Sequence, residues 1–406
     1  MRIAILDWRD LTHPEGGGAE RYAQTVAAGL AARGHEVTYF CSAHGGAPAD
    51  EFVDGYRIRR QGSRLSVYAA SLRTLRRFER THGRFDVVVD TQNGLPFWAP
   101  LATRSPVVCL VHHVHRENWP VVLGPVAARV GWFIESQVAP RVYRGRQYVA
   151  VSGRTRDELA GLGVDPGAVA VIHNGTDEVV GPRADRAPMP TLVVLGRLVP
   201  HKRVELAIEV LARLHAERPG LRLRVVGGGW WHTHVSERAA ELGVTHLVDL
   251  LGHVDEATKH HELARAWVAL APSAKEGWGL NVVEAASHRV PTVAHHGAGG
   301  LSESIVDGVT GVLVEDLDGL TAATARLLDD AELRTRLGAA AAAYAERFTW
   351  AATVDHWEAL LAEVAAGAPV RGDVDRDAGH WPAQAVAGSD TGADDILDEW
   401  PEQLVS

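Results

Sequence analysis

Two acids eight residues apart, Glu276 and Glu284, flank the run Gly277-Trp278-Gly279-Leu280-Asn281. Carboxylates are good acceptors for the hydroxyls of a sugar or a ribose. The segment follows the apolar run Val268 to Leu270 and opens a helical pattern that ends near His288, so Glu276 falls in the loop and Glu284 about one turn into the helix. Gly277 and Gly279 let backbone approach a ligand, and the amides of Gly279, Leu280 and Asn281 at the helix start suit a phosphate or a sugar oxygen. The plainer reading is an ordinary helix start with acids favoured by the helix dipole. It accounts poorly for Glu284, which lies between Val283 and Ala285 and needs a polar partner.

Arg197 and Lys202 make a second constellation. The strand-like run Leu192 to Leu195 ends at Gly196-Arg197-Leu198, and Lys202 stands just before the helical pattern Val204 to Leu214. Ligands of open α/β sheets sit beyond the carboxyl ends of strands, which puts both cations at a cleft. Arg197 can grip a diphosphate through two donors and Lys202 can add a compact charge. A basic pair on a surface loop is the alternative. Only three of the 41 basic residues are lysines, Lys202, Lys259 and Lys275, so a lysine here hints that a point charge was wanted.

Elements of repeating βα type must position these groups. Ile3 to Leu6, Glu36 to Phe40, Val87 to Val89, Val107 to Val111 and Tyr148 to Val151 alternate with longer amphipathic segments. A second series follows: Leu192 to Leu195, Leu223 to Val226, Val248 to Leu251, Val268 to Leu270, Thr292 to Ala294 and Val312 to Val314. The pattern predicts two doubly wound α/β domains of Rossmann type, as the length of 406 residues also suggests. Residues 1–178 form the first domain, 179–190 a Pro-containing linker, and 191–346 the second, with an Ala-rich helix over 320–346. A terminal helix over 347–366 and an acidic, disordered tail over 367–406 close the chain.

Two further segments carry chemistry. Gly16-Gly17-Gly18-Ala19-Glu20 sits between the first strand and a helix, without the G-x-G-x-x-G spacing of a dinucleotide loop. A flexible turn is its simpler reading. The fourth strand runs into His112-His113-Val114-His115, where three histidines invite a zinc reading. Strand alternation would turn His113 away from its neighbours, and no cysteine or acid is spaced to complete a site, so no metal is expected.

Taken in order, Gly196-Arg197-Leu198 with Lys202, Glu276 with Glu284, Gly299-Gly300 with Glu303, Asp307-Gly308 with Gly311, and Phe348-Thr349-Trp350 resemble the retaining glycosyltransferases of family four over residues 1 to 365. The resemblance implies the GT-B fold, with an acceptor-binding first domain facing a donor-binding second one across a cleft, and a terminal helix that crosses back. It implies that Arg197 and Lys202 neutralise the leaving diphosphate, Glu284 holds the ribose and Glu276 the donor-sugar hydroxyls. The glycine loop, Gly17 and Gly18 above all, would lie against the diphosphate, and His115 would touch the hexose near the reacting carbon, with His112 next in line. Glu20, Asn93 and Trp278 are further candidates, with His112, for contact with the donor sugar or the acceptor. The sequence departs from the family at Arg289, before Val290-Pro291, and at Arg203, after Lys202, where glycine is common.

The expected activity is transfer of a hexose from a UDP- or GDP-hexose to a hydroxyl of a small molecule, glycan or lipid, with no cofactor or metal. A GT-B epimerase or phosphorylase, or a non-catalytic sugar-nucleotide-binding protein, is the competing reading. Nucleic acid is not an expected partner: residues 1–180 carry 21 arginines against 18 acids, and the net charge of −10 comes largely from nine acids against two arginines over 371–406. No leader and no span of apolar residues long enough for a bilayer is seen, so a cytoplasmic place is expected. Arg64, Arg73, Arg76, Arg77, Arg80 and Arg84 could touch anionic lipid, though a solvated helix face is the favoured reading.

Overall fold

The computed structural model describes residues 1–179 and 184–372. The chain divides into two compact units, one of residues 1–175 with the described residues from 349 on, the other of the described residues between 176 and 348.

The first unit holds eight strands: β1 (Arg2–Leu6), β2 (Glu36–Cys41), β3 (Asp50–Val53), β4 (Tyr56–Arg60), β5 (Val87–Gln92), β6 (Val107–Val111), β7 (Gln147–Ala150) and β8 (Val169–Val171). Their order is β3-β4-β2-β1-β5-β6-β7-β8, with β3 antiparallel to β4 and every other pairing parallel. Central strands buried on both faces read as continuous apolar runs; all five residues of β6 are buried. The chain therefore counts β6 sixth, not fourth. The β3–β4 hairpin was not anticipated. Its turn, Asp54-Gly55, takes positive φ at both residues (47° and 82°), the geometry that suits a two-residue hairpin.

The helix Trp350–Ala365 belongs to this unit and packs on the helix Gly18–Ala32. Trp357 Nε1 donates to Tyr22 Oη at 2.6 Å in the core, and Arg33 reaches Asp355 at 2.5 Å and Glu358 at 2.7 Å on the rim. Of the stretch read as a disordered tail, residues 373–406 lie outside the described residues. Within 367–372, Arg371 exchanges two backbone hydrogen bonds with the Gln147 side chain, at 2.8 and 2.9 Å.

The second unit is a six-stranded parallel sheet: β9 (Thr191–Leu195), β10 (Arg222–Val226), β11 (Val248–Gly252), β12 (Val268–Ala271), β13 (Thr292–His295) and β14 (Gly311–Val314), ordered β11-β10-β9-β12-β13-β14. The winding direction reverses between β9 and β12, where an open sheet leaves a crevice beyond its carboxyl ends. The first unit reverses in the same way between β1 and β5. The Ala-rich helix expected over 320–346 is two helices, Leu317–Asp329 and Ala331–Ala345. Asp330 breaks it: its backbone is extended (φ −101°, ψ 95°) and its side chain caps the second helix by accepting from the Leu333 amide. Residues 180–183 of the expected linker lie outside the described residues. The stretch that follows is tied down, because Arg186 donates to the carbonyls of Ala264, Ala266, His288 and Arg289.

Both departures from glycine noted in the sequence fall on left-handed backbone, Arg203 at φ 47° and Arg289 at φ 58°. A non-glycine residue there costs about 1–2 kcal/mol. At Arg289 the surroundings fix the conformation: its carbonyl accepts from Arg186 at 2.6 Å and presses on Gly338, where a Cβ would collide with it.

Candidate functional site

In the second unit the loops after β9 and β12, the two strands at the reversal, carry the expected residues. Gly196 turns the chain out of β9 at φ 149°, and its Cα faces the end of the Lys202 side chain. A short 3₁₀ turn, Pro200–Lys202, aims that side chain back toward the sheet end. There its ammonium meets Glu276 Oε1, which also accepts from Ser273 Oγ at 2.7 Å. Burial pushes the Glu276 carboxyl up, but the charge and hydrogen bond of Lys202 and the bond from Ser273 more than offset it and hold it below its ordinary value. Glu276 is therefore an ionised acceptor and not a proton donor at neutral pH.

The Gly299-Gly300 pair explains how the Glu276 loop is held. Gly300 N donates to the Glu276 carbonyl at 2.9 Å, Glu276 N to Ala298 O at 2.9 Å, and a Cβ on Gly300 would run into the Gly277 carbonyl oxygen. Gly279 caps the helix Leu280–Ser287 in left-handed conformation (φ 95°). Asn281, in its first turn, donates from Nδ2 to the carbonyl of Leu195 at 3.2 Å, tying this helix to the end of β9. Glu284 lies one turn further, and its partner is Lys259: Nζ stands 2.5 Å from Glu284 Oε1 and 2.6 Å from Glu256 Oε2. Trp278, a candidate sugar contact, is only 3% exposed and its ring packs edge-on to Phe348 at 4.8 Å. That ring is part of the core of this unit.

In the first unit the corresponding loops follow β1 and β5. Gly17 caps the helix Gly18–Ala32, its amide donating to Glu20 Oε2 at 2.8 Å, so Glu20 is engaged in capping and is only 6% exposed. Asn93, just past β5, donates to Asp7 Oδ1 at 3.3 Å. Asp7 is fully buried at the end of β1, accepting from the Tyr39 hydroxyl at 2.8 Å. Burial, and then the charge of Glu20, push its carboxyl up to about 8 against that bond and the one from the Trp8 amide. Asp7 was missed in the sequence; an acid directly after the apolar run Ile3 to Leu6 was its signal.

The three histidines follow β6 and not within it, so strand alternation does not sort them. His112 is the buried one, at 5% exposure, edge-on to the Tyr22 ring at 5.3 Å; burial pushes its imidazole down to about 3. Its Nε2 has no hydrogen-bond partner among the described residues. His113 is half-buried and stacks on His115 with ring centroids 4.0 Å apart. His115 is placed by Glu135, an acid buried on a π-helical turn (Ile134–Val138): Oε1 accepts the His115 amide at 3.0 Å and Oε2 accepts Trp119 Nε1 at 2.6 Å. His115 Nδ1 stands 3.3 Å from the same Oε1 but out of line for a hydrogen bond.

Two Rossmann-type units, each with polar loops at its winding reversal, are the parts of the GT-B fold, and solved structures agree. Sucrose-phosphate synthase from Thermosynechococcus elongatus matches with TM-score 0.77 at 19% identity, over 90% of this chain and 100% of that one. HepE of Anabaena, solved with UDP-glucose, matches with TM-score 0.68 at 19% identity, over 90% and 100%. Family models place the kinship more narrowly: Glycosyltransferase Family 4 matches residues 16–179 and Glycosyl transferases group 1 residues 184–344. An MMP α-(1→4)-mannosyltransferase of Mycolicibacterium hassiacum is 30% identical over 90% of this chain and 100% of its own length. The chain belongs to the family 4 type of glycosyltransferase. Among the described residues no helix is long and apolar enough to cross a membrane.

Proposed function

We propose that this protein is a retaining, metal-independent hexosyltransferase that moves a hexose from a UDP- or GDP-hexose to a hydroxyl of a small-molecule, glycan or lipid acceptor. The observation that carries the reading is the pair of lysine–carboxylate contacts at the carboxyl end of the second sheet, Lys202 with Glu276 and Lys259 with Glu284. Each carboxylate is an acceptor placed beside an ammonium, suited to the hexose hydroxyls at Glu276 and the ribose hydroxyls at Glu284. Lys202 with Arg197 meets the charge that grows on the departing diphosphate, so a metal has no task to perform there. Gly17, Gly18, Gly279, Leu280 and Asn281 present backbone and amide to the nucleotide part. His115, with Asn93, serves the reacting sugar and the acceptor from the first unit.

In this reading the acceptor attacks from the face that the diphosphate leaves, a phosphate oxygen takes the acceptor proton, and the protein contributes position and charge and forms no covalent bond. UDP-glucose is the ligand of HepE and mannose the sugar in the name of the mycobacterial relative, so the titration must cover both nucleobases and both sugars. Calorimetry with UDP- and GDP-glucose and -mannose selects the donor. Proton NMR of the first product then reads the anomeric configuration in buffer with excess EDTA. Inverted product, or turnover that returns only when a divalent ion is restored, would refute the proposal.

A further inference from the structure

Behind Glu284 lies a group of side chains that the transfer reaction does not use. Asp177, Glu256 and His260 each bring one ligand-type atom within 4.8 Å of the other two, and all three belong to the second unit. Glu256 and His260 stand four apart on the helix Glu256–Arg265 and so share a face. Asp177 comes from the segment that enters the unit.

The histidine is oriented in a particular way. Its Nδ1 is 2.8 Å from Nε2 of His288, and its Nε2 is turned to Glu256 Oε2, 3.9 Å away. In the tautomer that carries its proton on Nδ1, shared with His288, the lone pair of Nε2 faces the Glu256 carboxylate, which is how a second residue fixes the tautomer of a metal-ligating histidine. One imidazole nitrogen and two carboxylate oxygens make a donor set suited to a zinc-like ion, with water completing the shell. A cation already serves one of these acids: Lys259 divides its ammonium between Glu256 and Glu284.

We propose that Asp177, Glu256 and His260 form a binding site for a zinc-like divalent ion, which competes with Lys259 for Glu256. The ion takes no part in the transfer. By displacing Lys259 from Glu256 it shifts that ammonium wholly onto Glu284, and a carboxylate more firmly occupied by lysine is a poorer acceptor for a ribose hydroxyl. This last step rests on the reading of Glu284 given above; the binding of the ion does not.

Zinc uptake is measured on full-length protein without an affinity tag, by competition with a chromophoric chelator and with no nucleotide present. The wild type is expected to take up one equivalent tightly and to gain melting temperature from it. His260→Ala and Asp177→Asn should each weaken uptake roughly 100-fold, and His288→Ala roughly tenfold. Lys259→Gln should tighten it roughly tenfold, because the competing charge is gone. Absence of stoichiometric uptake by the wild type overturns the site, as does a folded His260→Ala protein that matches the wild type. Unchanged affinity in Lys259→Gln overturns the competition. The link to Glu284 is read separately: zinc should slow wild-type transfer well before it slows His260→Ala, whereas equal slowing would mean that it acts on the nucleotide alone and would overturn the link.

Discussion

The two sheets reverse their winding at equivalent points, β1 with β5 and β9 with β12, yet the groups at the two reversals are held by opposite means. At the second, ammonium groups meet the acids, Lys202 at Glu276 and Lys259 at Glu284, and Lys202 holds the Glu276 carboxyl below its ordinary value. In the first unit burial dominates: Asp7, at the reversal, is pushed up to about 8 and His112, just past β6, down to about 3, so both tend to be neutral. A charged, mobile-ended pair can exchange one partner for a ligand's phosphate or hydroxyl, whereas a buried neutral group gains little from an arriving charge. Under the proposed function, the second unit takes the anionic part of the donor and the first contributes shape and neutral hydrogen bonding.

The largest test of that division is Lys202→Ala and Arg197→Ala, each expected to lower turnover roughly a hundredfold or more while leaving the fold intact. Near-normal rates in both would remove the charge argument from the second unit. Next is the histidine pair. His115→Ala should bind nucleotide diphosphate as the wild type does and lose roughly ten- to a hundredfold in kcat, the mark of a contact made mainly in the transition state. His112→Ala should instead cost about 2 kcal/mol of stability through the cavity left against Tyr22. A silent His115→Ala beside a stable, inactive His112→Ala would move the assignment to His112.

The acids should answer pH with opposite signs. Asp7 ionises near its ordinary 3.8 when unfolded and near 8 when folded, so the folded state binds the extra proton between those values and its stability falls as pH rises. Asp7→Asn removes that slope, and its stability relative to the wild type, read from thermal melts, should rise from pH 4 to pH 8 by up to about 1.4 kcal/mol per pH unit. Glu276, held below its ordinary 4.5, adds stability that is present above that value and lost as pH drops through the folded pKa. Glu276→Gln should therefore lose stability at pH 7 and recover toward the wild type in acid. If both variants shift the same way, burial and pairing have been misassigned between the units.

Smaller still is Arg289→Gly, which relieves a left-handed arginine and should raise stability by about 0.5–1 kcal/mol in thermal melts without changing turnover. A loss would show that the Arg289 side chain contributes more than its backbone strain costs. The smallest effect is expected from ending the chain after Gly372, since the residues beyond are strongly acidic, with nine acids against one arginine. Ending it after Gly367 removes the two bonds between Arg371 and Gln147 and should lower the melting temperature by a few degrees.

Much of this was legible from runs of apolar residues. Every strand of the second sheet was found, because strands covered on both faces carry a signal that polar neighbours do not dilute. The hairpin β3–β4 was passed over because Asp50-Glu51 and three arginines mask it, although Tyr56, Ile58 and Arg60 alternate inward and Asp54-Gly55 marks the turn. At the site, the need of Glu284 for a polar partner could be read from its flanks, but not that Lys259 would supply it. That pairing depends on how two residues 25 apart in the chain, on separate helices, meet at a sheet end. The same holds for Glu135, which reaches His115 from a π-helical turn that no local pattern announces.

The return of residues 349–372 to the first unit has a consequence for biosynthesis. As the chain leaves the ribosome, the first unit emerges early but lacks the helix that supplies Trp357 to Tyr22 and Asp355 and Glu358 to Arg33. The second unit is one continuous stretch and can close as soon as it is made. The part synthesised first is thus completed last, with the Gly18–Ala32 face uncovered while some 170 further residues are translated, at roughly 5–20 residues per second. Nascent chains halted before Trp350 should carry a protease-resistant second unit and a first unit still open to cleavage.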